Sequence, residues 1–587
     1  MAGTVRTHRA LEIVGLPEGT EVTLAGWVSR SRDMGGILFV DLRDASGVAQ
    51  VVIDPSELPD ADQLRMEFCI AVTGAVRPRP EGTANPDLAT GEVEVGASGL
   101  EVLSPSEALP FMVDDRHDVD ELTRLEYRYL DFRRPDMAAR LRARAAATTA
   151  MRQTMADLGF LEIETPTLIA STPEGARDML VPSRLRQGSF YALPQSPQIF
   201  KQLLMVGGVE RYFQFARCYR DEDFRSDRQL EFTQLDLEGA FWDEEEVRAA
   251  VEESVIAATA AVRGDGPDRG FPTLTWREAM DRFGTDKPDT RFTMELTDLS
   301  AVFEGTEFRG FGGALADGGV VKAINAGALG LSRSGLDTLV ERAKELGAAG
   351  LAWAVVEDGG TLRSPIAKFL SDVEVAGVVD ALGGTTDDVL LLIAGPWRSS
   401  SEILGQLRVE IGKPEGHDDL AYLWVIDFPV FEETDDGGFA PAHHPFTAPH
   451  SVDEMRDDPK NALSKAYDLV LNGTELGSGS VRIHDPAAQA QVFETLGISD
   501  DEAERRFGWF LRALRYGTPP HAGFAVGFDR LMAILVGANS IRDVIPFPKT
   551  QRGVDPLTGS PSRVEDAQLV ELGLDVRPEV KAAWDEE

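Results

Sequence analysis

The stretch Phe215-Ala216-Arg217-Cys218-Tyr219-Arg220-Asp221-Glu222, followed by Arg228-Gln229-Leu230-Glu231-Phe232-Thr233-Gln234-Leu235-Asp236, decides how this chain is read. Apolar and polar residues alternate through both halves, the pattern of two adjoining antiparallel strands. On that pattern Arg220 and Glu222 share a face. A guanidinium there is a planar fork suited to a phosphate. Glu222 is an acceptor for a base or sugar donor, and Phe232 offers a stacking face. A lone Arg-x-Glu means little, but the Arg-x-x-x-Phe pair from Arg228 to Phe232 at this distance makes the combination specific.

Working outward, 587 residues suggest three or four domains at about 100–200 residues each. The net charge of −40 argues at face value against a nucleic-acid partner. Screening confines surface fields to about 8–10 Å, however, so local patches decide. Such patches are Arg30 with Arg32, Arg77 with Arg79, and the run Arg128, Arg133, Arg134, Arg140, Arg142 and Arg144. No basic start leads into an apolar leader, and no run approaches the roughly 18 apolar residues of a membrane span. A cytoplasmic protein is expected, with no membrane partner. Cys69 and Cys218, both in strand-like apolar runs, read as small core residues.

Residues 1–112 read as all-β, with runs at Val22–Val28, Ile37–Leu42, Val48–Ile53, Cys69–Val76 and Val93–Leu103. Five short strands separated by turn residues suit a small closed barrel of the OB type. A hinge is expected over 113–137. Leu141, Ala145, Thr148, Met151, Met155 and Leu158 then recur at helical spacing. Residues 138–289 mix strands and helices. Residues 290–418 change character, rich in Gly and Ala, and read as an inserted α/β domain. The chemistry-bearing pattern resumes over 419–552, and 553–587 read as an irregular tail. The fold class is multidomain α+β.

Four further stretches carry chemistry. Gln195-Ser196-Pro197-Gln198-Ile199-Phe200-Lys201 opens a helix, and Gln198 and Lys201, three apart, share its face. From Leu471 to His484 a glutamate, a glycine-rich bend and an arginine occur together. Glu475, with Asp468 upstream, suits Mg²⁺ bridging phosphates. Arg482, between Val481 and Ile483, needs an anionic partner, either a ligand or an internal carboxylate. Gly523-Phe524-Ala525-Val526-Gly527-Phe528-Asp529-Arg530 runs from a strand into a helix through glycines, without the Lys-Ser/Thr of a P-loop. His443 and His444 are adjacent and cannot both face one metal from a strand; they suit a small polar ligand.

Together these stretches resemble the class II aminoacyl-tRNA synthetases, and specifically the bacterial type of aspartyl-tRNA synthetase, over nearly the whole chain. Phe160 to Pro166 resembles the dimer-forming motif 1, Arg220 to Asp236 motif 2, and Gly523 to Arg530 motif 3. Ser171 to Asp178 is similar to the mobile loop over the amino acid. The insertion resembles the domain shared with the amidotransferase B subunit, the GAD type. Leu230, Ser478 and Ala522 depart from the family's usual wording, where proline and glycines are common.

The resemblance implies an ATP-dependent ligase that activates L-aspartate and transfers it to tRNA(Asp), with Mg²⁺ accompanying ATP, as a cytoplasmic homodimer with no DNA partner. Implied catalytic residues are Arg220, Glu222 and Arg530. Aspartate would meet Glu174, Ser196, Gln198, Lys201, Arg220, Asp236, His443, His444 and Arg482. ATP would meet Arg220, Asp221, Glu222, Arg228, Gln229, Phe232, Glu475, Gly527, Phe528, Asp529 and Arg530, and Mg²⁺ would meet Asp468 and Glu475. The barrel would read the anticodon with Arg30, Arg32, Met34, Phe39, Gln50 and Gly82. An asparagine or lysine ligase on the same scaffold is disfavoured by Lys201, Arg482 and the insertion. A non-catalytic RNA-binding paralogue is disfavoured by the presence of Arg220, Glu475 and Arg530, and a tRNA-independent asparagine synthetase by the barrel. Met34 and Gly82 offer no strong hydrogen-bonding side chain, so the reading leans toward tRNA(Asn) as a second substrate over a strictly tRNA(Asp)-specific enzyme.

Overall fold

Alternation builds the N-terminal barrel. In β1 (Glu21–Met34) the residues Val22, Leu24 and Val28 point inward and are buried, while their neighbours face out. β2 (Ile37–Arg43), β3 (Val48–Ile53), β4 (Cys69–Pro78) and β5 (Val93–Ser104) close the sheet in the order β1-β2-β3-β5-β4. The core holds Val40, Leu42, Val51, Ile53, Val72 and Val95. The computed structural model describes residues 5–172, 175–222, 227–412, 418–434 and 436–584. It divides into two units, residues 1–138 and 139–587.

The stretch expected as a hinge is folded within the first unit. Helices Glu121–Glu126 and Arg128–Asp131 lie there, and Arg133 reaches Glu67 at 3.0 Å while stacking over Trp27 at 4.7 Å. The arginine run is therefore not a free basic face. Arg128 is buried against Asp131 at 2.6 Å, Arg140 lies 3.5 Å from Asp543, and Arg144 lies 2.6 Å from Asp529.

The helix Pro135–Asp157, most of which belongs to the second unit, buries Met151 and Met155 as its spacing predicts, but Ala147 turns inward and Ala145 outward. β6 (Leu161–Glu162), the hairpin of β7 (Leu180–Pro182) and β8 (Phe190–Ala192), β9 (Arg211–Tyr219), β10 (Glu231–Ala240) and β11 (Thr273–Thr275) follow. The inserted region contributes β12 (Thr297–Asp298), β13 (Val320–Asn325), β14 (Ala352–Val356), β15 (Leu362–Arg363) and β16 (Val389–Gly395). These form their own antiparallel sheet, β12-β13-β16-β14-β15, buried on both faces: Leu391 and Ile393 pack on one side, Leu390 and Leu392 on the other.

The chain then returns through β17 (Tyr422–Ile426), the hairpin of β18 (Phe431–Glu433) and β19 (Phe439–Pro441), β20 (Ala466–Leu471), β21 (Thr474–Val481) and β22 (His521–Gly527). The resulting eight-stranded sheet runs β11-β17-β20-β21-β22-β10-β9-β6. It is antiparallel except where β11 meets β17 and β6 meets β9. In its core Tyr467 and Phe524 stack, and Trp424 meets both rings edge-on. The C-terminal stretch is not irregular: helices Asp566–Leu572 and Pro578–Trp584 form, and Gln187 Nε2 donates to the Glu571 carbonyl at 3.0 Å. Among the described residues no helix is long and apolar enough to cross a membrane.

Candidate active site

One cavity of about 430 Å³ opens on the sheet where β9, β10, β21 and β22 lie side by side. Of the residues singled out from sequence, Ser196, Gln198, Lys201, Arg220, Glu222, Arg228, Gln229 and Phe232 line it. So do Asp236, His443, His444, Glu475, Arg482, Gly527, Asp529 and Arg530. The antiparallel register of β9 with β10 and of β10 with β22 explains this convergence of stretches far apart in sequence. Glu174 falls outside the described residues.

The floor is a buried charge cluster. The helix Gln198–Val206 begins just after Pro197 and projects Lys201, which is 1% exposed, down to β10. Lys201 Nζ lies 3.1 Å from Asp236 Oδ1, 3.4 Å from Glu238 Oε2 and 3.3 Å from the Phe524 carbonyl. Arg482, one residue past β21, donates from Nε and Nη2 to Glu238 at 2.9 and 3.2 Å, and from Nη1 to Ser480 Oγ at 2.7 Å. Both cations therefore already have internal carboxylate partners. Of the two kinds of anionic partner that the sequence left open for Arg482, the structure supplies the internal carboxylate, Glu238, which sequence reading missed. Its signal was present: Asp236 and Glu238, two apart, share one face of a strand that is otherwise buried. A methyl group on Gly523 would lie 1.8 Å from Glu238 Oε2, so only glycine admits the carboxylate there.

The charges are unevenly held. Burial would push Glu238 up, but Arg482 and Lys201 outweigh it and keep its pKa below the usual value. Burial raises Asp236, against the pull of Lys201. His444 is driven down to about 3 by burial and by the Arg482 and Lys201 charges, so its ring is neutral. Three buried polar atoms around this floor have no hydrogen-bond partner: Asp236 Oδ2, Gln198 Nε2 and His444 Nε2. Unpaired buried polar atoms are costly, and ones that face a cavity are the natural seats for ligand groups.

Above the floor, Arg220 lies 5.2 Å over the Phe232 ring and 3.4 Å from the Gln195 carbonyl. The strand ends at Tyr219, so Arg220 and Glu222 owe their positions to the loop rather than to strand alternation. The Arg220 amide bonds the Leu230 carbonyl at 2.9 Å. Glu222 pairs with Arg228 at 2.9 Å. Arg530, in the first turn of the helix Phe528–Leu535, donates to the Glu475 carbonyl and lies 3.3 Å from Asp227.

Several expected contacts face elsewhere. Phe528 is a core residue, 1% exposed and edge-on to Phe215 at 5.2 Å, so its side chain cannot meet a nucleotide. Asp529 lines the cavity, but it accepts from the Thr233 amide at 2.7 Å and holds Arg144, locking the helix to β10. Gln229 clamps the Lys549 backbone through both ends of its amide. Asp221 sits outside the cavity lining, beside Arg177 at 3.7 Å.

Asp468 lines an adjoining cavity of about 390 Å³, which shares His443, Glu475 and Ser478 with the first. Its Oδ1 lies 3.3 Å from His443 Nε2. Burial and the Asp468 charge push Glu475 up, a condition that a divalent cation relieves. Among the described residues no three His, Cys, Asp or Glu gather into a metal cage. Asp468 and Glu475 both line the adjoining cavity, and two carboxylates fit Mg²⁺, which takes one or two of them plus phosphates and water.

In the barrel, Arg30 is exposed, Met34 is 65% exposed next to the β1–β2 turn, and Gly82 has φ +81°. Phe39 stays outside the barrel core, which leaves its ring available for stacking. Arg32 pairs with Asp41 at 3.3 Å. Gln50 is buried and donates to Glu94 at 2.8 Å, so its amide is already engaged in the barrel wall.

The barrel matches the family model described as OB-fold nucleic acid binding domain over residues 22–103. Residues 120–551 match the model described as tRNA synthetases class II (D, K and N). The chain belongs to the class II tRNA synthetases, and within them to the aspartate--tRNA ligases. It is 51% identical to the aspartate--tRNA(Asp/Asn) ligase of Thermobifida fusca, covering 98% of this chain and 99% of that one. With the aspartate--tRNA(Asp/Asn) ligase of Salinispora arenicola it shares 50% identity over 98% of this chain and 97% of the relative. A putative aspartyl-tRNA synthetase structure from Leishmania major Friedlin shares the fold at TM-score 0.59 and 20% identity, over 92% of this chain and 94% of that one.

Proposed function

We propose that the chain joins L-aspartate to tRNA(Asp) and tRNA(Asn) in two steps, through aspartyl-adenylate. The observation that carries the reading is the charge cluster with its three unpartnered atoms. Asp236, raised by burial and with Oδ2 free of partners, accepts the substrate ammonium; Glu174 is expected beside it. Gln198 Nε2 donates to a carboxylate oxygen, with Ser196 next to it. Arg482, Lys201 and neutral His444 form the side-chain pocket, and His443 completes its polar wall. An asparagine amide would turn its own N–H donors toward the donors of Arg482 and Lys201, so the carboxylate is preferred.

The aspartate carboxylate attacks the α-phosphorus of ATP in line and displaces pyrophosphate; the 3′-hydroxyl of tRNA then attacks the mixed anhydride. Little covalent chemistry is asked of the protein, and positioning with charge stabilisation does most of the catalysis. Arg220 holds the α-phosphate and the attacking carboxylate. Glu222, Phe232 and Arg530 hold adenine, with Arg228 and the Gly527 backbone beside the nucleotide. Asp468 and Glu475 would hold Mg²⁺, which neutralises charge on the phosphates when bound. The barrel reads single-stranded bases by stacking on Phe39, with Arg30 and Arg32 at phosphates and the loops of Met34 and Gly82 nearby. The names of the two relatives support tRNA(Asn) as a second substrate. The protein works as a cytoplasmic homodimer through the motif 1 segment, and residues 290–418 form a GAD-type domain.

Aspartate-dependent exchange of pyrophosphate into ATP, followed by charging of tRNA(Asp) and tRNA(Asn) transcripts, tests the reading. Exchange that does not require aspartate would overturn it.

A further inference from the structure

The two ends of the inserted region meet at one place, the turn Asn472-Gly473 that links β20 to β21 and so links Asp468 to Glu475. On the entering side, a methyl group on Gly473 would lie 3.1 Å from Asp289 Cβ, so the turn rests directly on Asp289. On the leaving side, Asn472 Nδ2 donates to the Asp419 carbonyl at 2.9 Å, and Asn472 Oδ1 accepts from the Ala421 amide at 2.9 Å. Asn472 itself has φ +52° and Gly473 φ +79°, the left-handed pair that a two-residue hairpin demands.

The Asp289 segment is in turn fixed by the insertion. Arg408, fully buried on the helix Trp397–Gly412, donates to three of its carbonyls: Asp289 at 2.9 Å, Phe292 at 2.8 Å and Met294 at 2.8 Å. Its guanidinium stacks 3.9 Å over the Phe292 ring. Between the turn and Asp468 the β20–β21 register shifts by a bulge at Leu469/Val470. Bulges set the aim of nearby side chains, so a shifted turn re-aims Asp468 relative to Glu475.

We infer that the inserted domain sets the geometry of the carboxylate pair, with Arg408, Asp289 and Asn472 as positioning residues acting through this turn. The inference rests on the reading of Asp468 and Glu475 as the Mg²⁺ ligands. It assigns the insertion a role in the adenylation step, separate from any contact with tRNA.

Two mild substitutions in the full chain test it. Asn472→Gly keeps a turn that accepts positive φ but removes both side-chain bonds. Phe292→Leu removes the stacking surface of Arg408 and leaves the carbonyls in place. The readouts are Mn²⁺ binding, followed by electron paramagnetic resonance with a non-hydrolysable ATP analogue, and the Mg²⁺ concentration for half-maximal exchange. Both variants should weaken Mn²⁺ binding and raise the Mg²⁺ midpoint, by about tenfold for Asn472→Gly, while KM for aspartate stays unchanged. Asn472→Asp, which keeps the bond from Ala421, should restore part of the loss. Wild-type Mn²⁺ affinity in both variants overturns the inference, as does an equal rise in KM for aspartate. A wild-type protein without aspartate-dependent exchange would instead overturn the proposed function.

Discussion

Arg482 presents Nε and Nη2 to the two oxygens of Glu238, at 2.9 and 3.2 Å, with both side chains buried. A fork-to-fork contact of this kind fixes the guanidinium in both direction and rotation. Glu238→Gln preserves the shape and removes the charge, leaving Lys201 and Arg482 with Asp236 alone. Aspartate activation should fall about 100-fold, some 2.7 kcal/mol, and thermal stability should fall with it. Pyrophosphate exchange at saturating ATP measures this. An unchanged kcat/KM for aspartate would show that Glu238 does not orient the pocket.

His444 ties stability to acid. Burial and two neighbouring cations depress its pKa from 6.5 to about 3, so the unfolded chain takes up a proton that the folded chain refuses. Its contribution to stability is complete above about pH 6.5 and is lost as pH falls toward 3. His444→Gln should therefore flatten the fall in unfolding free energy across that window. Denaturant titrations of both proteins at several pH values give the comparison, and parallel curves would exclude His444 as a source of acid sensitivity.

Separation of the two chemical steps should follow the boundary between the two units. The segment 113–134 packs with the barrel, so a deletion should remove residues 1–134 rather than the barrel strands alone. That truncated chain should retain pyrophosphate exchange and lose most aminoacylation. Equal loss of both activities in a folded product would contradict a barrel devoted to tRNA.

Anticodon choice rests on the third base, C in tRNA(Asp) and U in tRNA(Asn). Strong discrimination needs a buried polar partner that the wrong base leaves unpaired. Exposed Met34 and side-chain-free Gly82 supply none. The kcat/KM values for the two transcripts should lie within about tenfold, or 1.4 kcal/mol. A preference for tRNA(Asp) above about a hundredfold would assign discrimination to other residues.

The barrel was legible because alternation is local: each predicted run became a strand, and β1 and β2 alternate between buried and more exposed residues. Arg482 was legible as an ionisable residue between apolar neighbours, Lys201 from its helical spacing with Gln198, and Asp236 from the family resemblance. The pairing of Arg482 with Glu238 was not, because it depends on the registers of β10 with β22 and of β21 with β22, which together bring side by side two residues 244 positions apart. Phe528 and Gln229 were misread for a related reason. Proximity to a motif does not say which way a side chain turns at a helix start or in a loop, and both turn toward neighbouring segments. The inward turn of Ala147 in place of Ala145 reflects an Ala-rich helix, where small residues give hydrophobic periodicity little contrast.

Gly523 and Glu238 occupy overlapping space, since any side chain at 523 would begin inside the carboxylate at 238. Neither position can drift alone. A larger residue at 523 evicts the acid and strands two cations, while loss of the acid opens a void beneath a bare glycine. A descendant of this scaffold that came to favour another amino acid would have to alter both positions together, or pass through an ancestor that activates nothing well. The close fit thus acts as a barrier to change of substrate, written into two codons far apart in the gene.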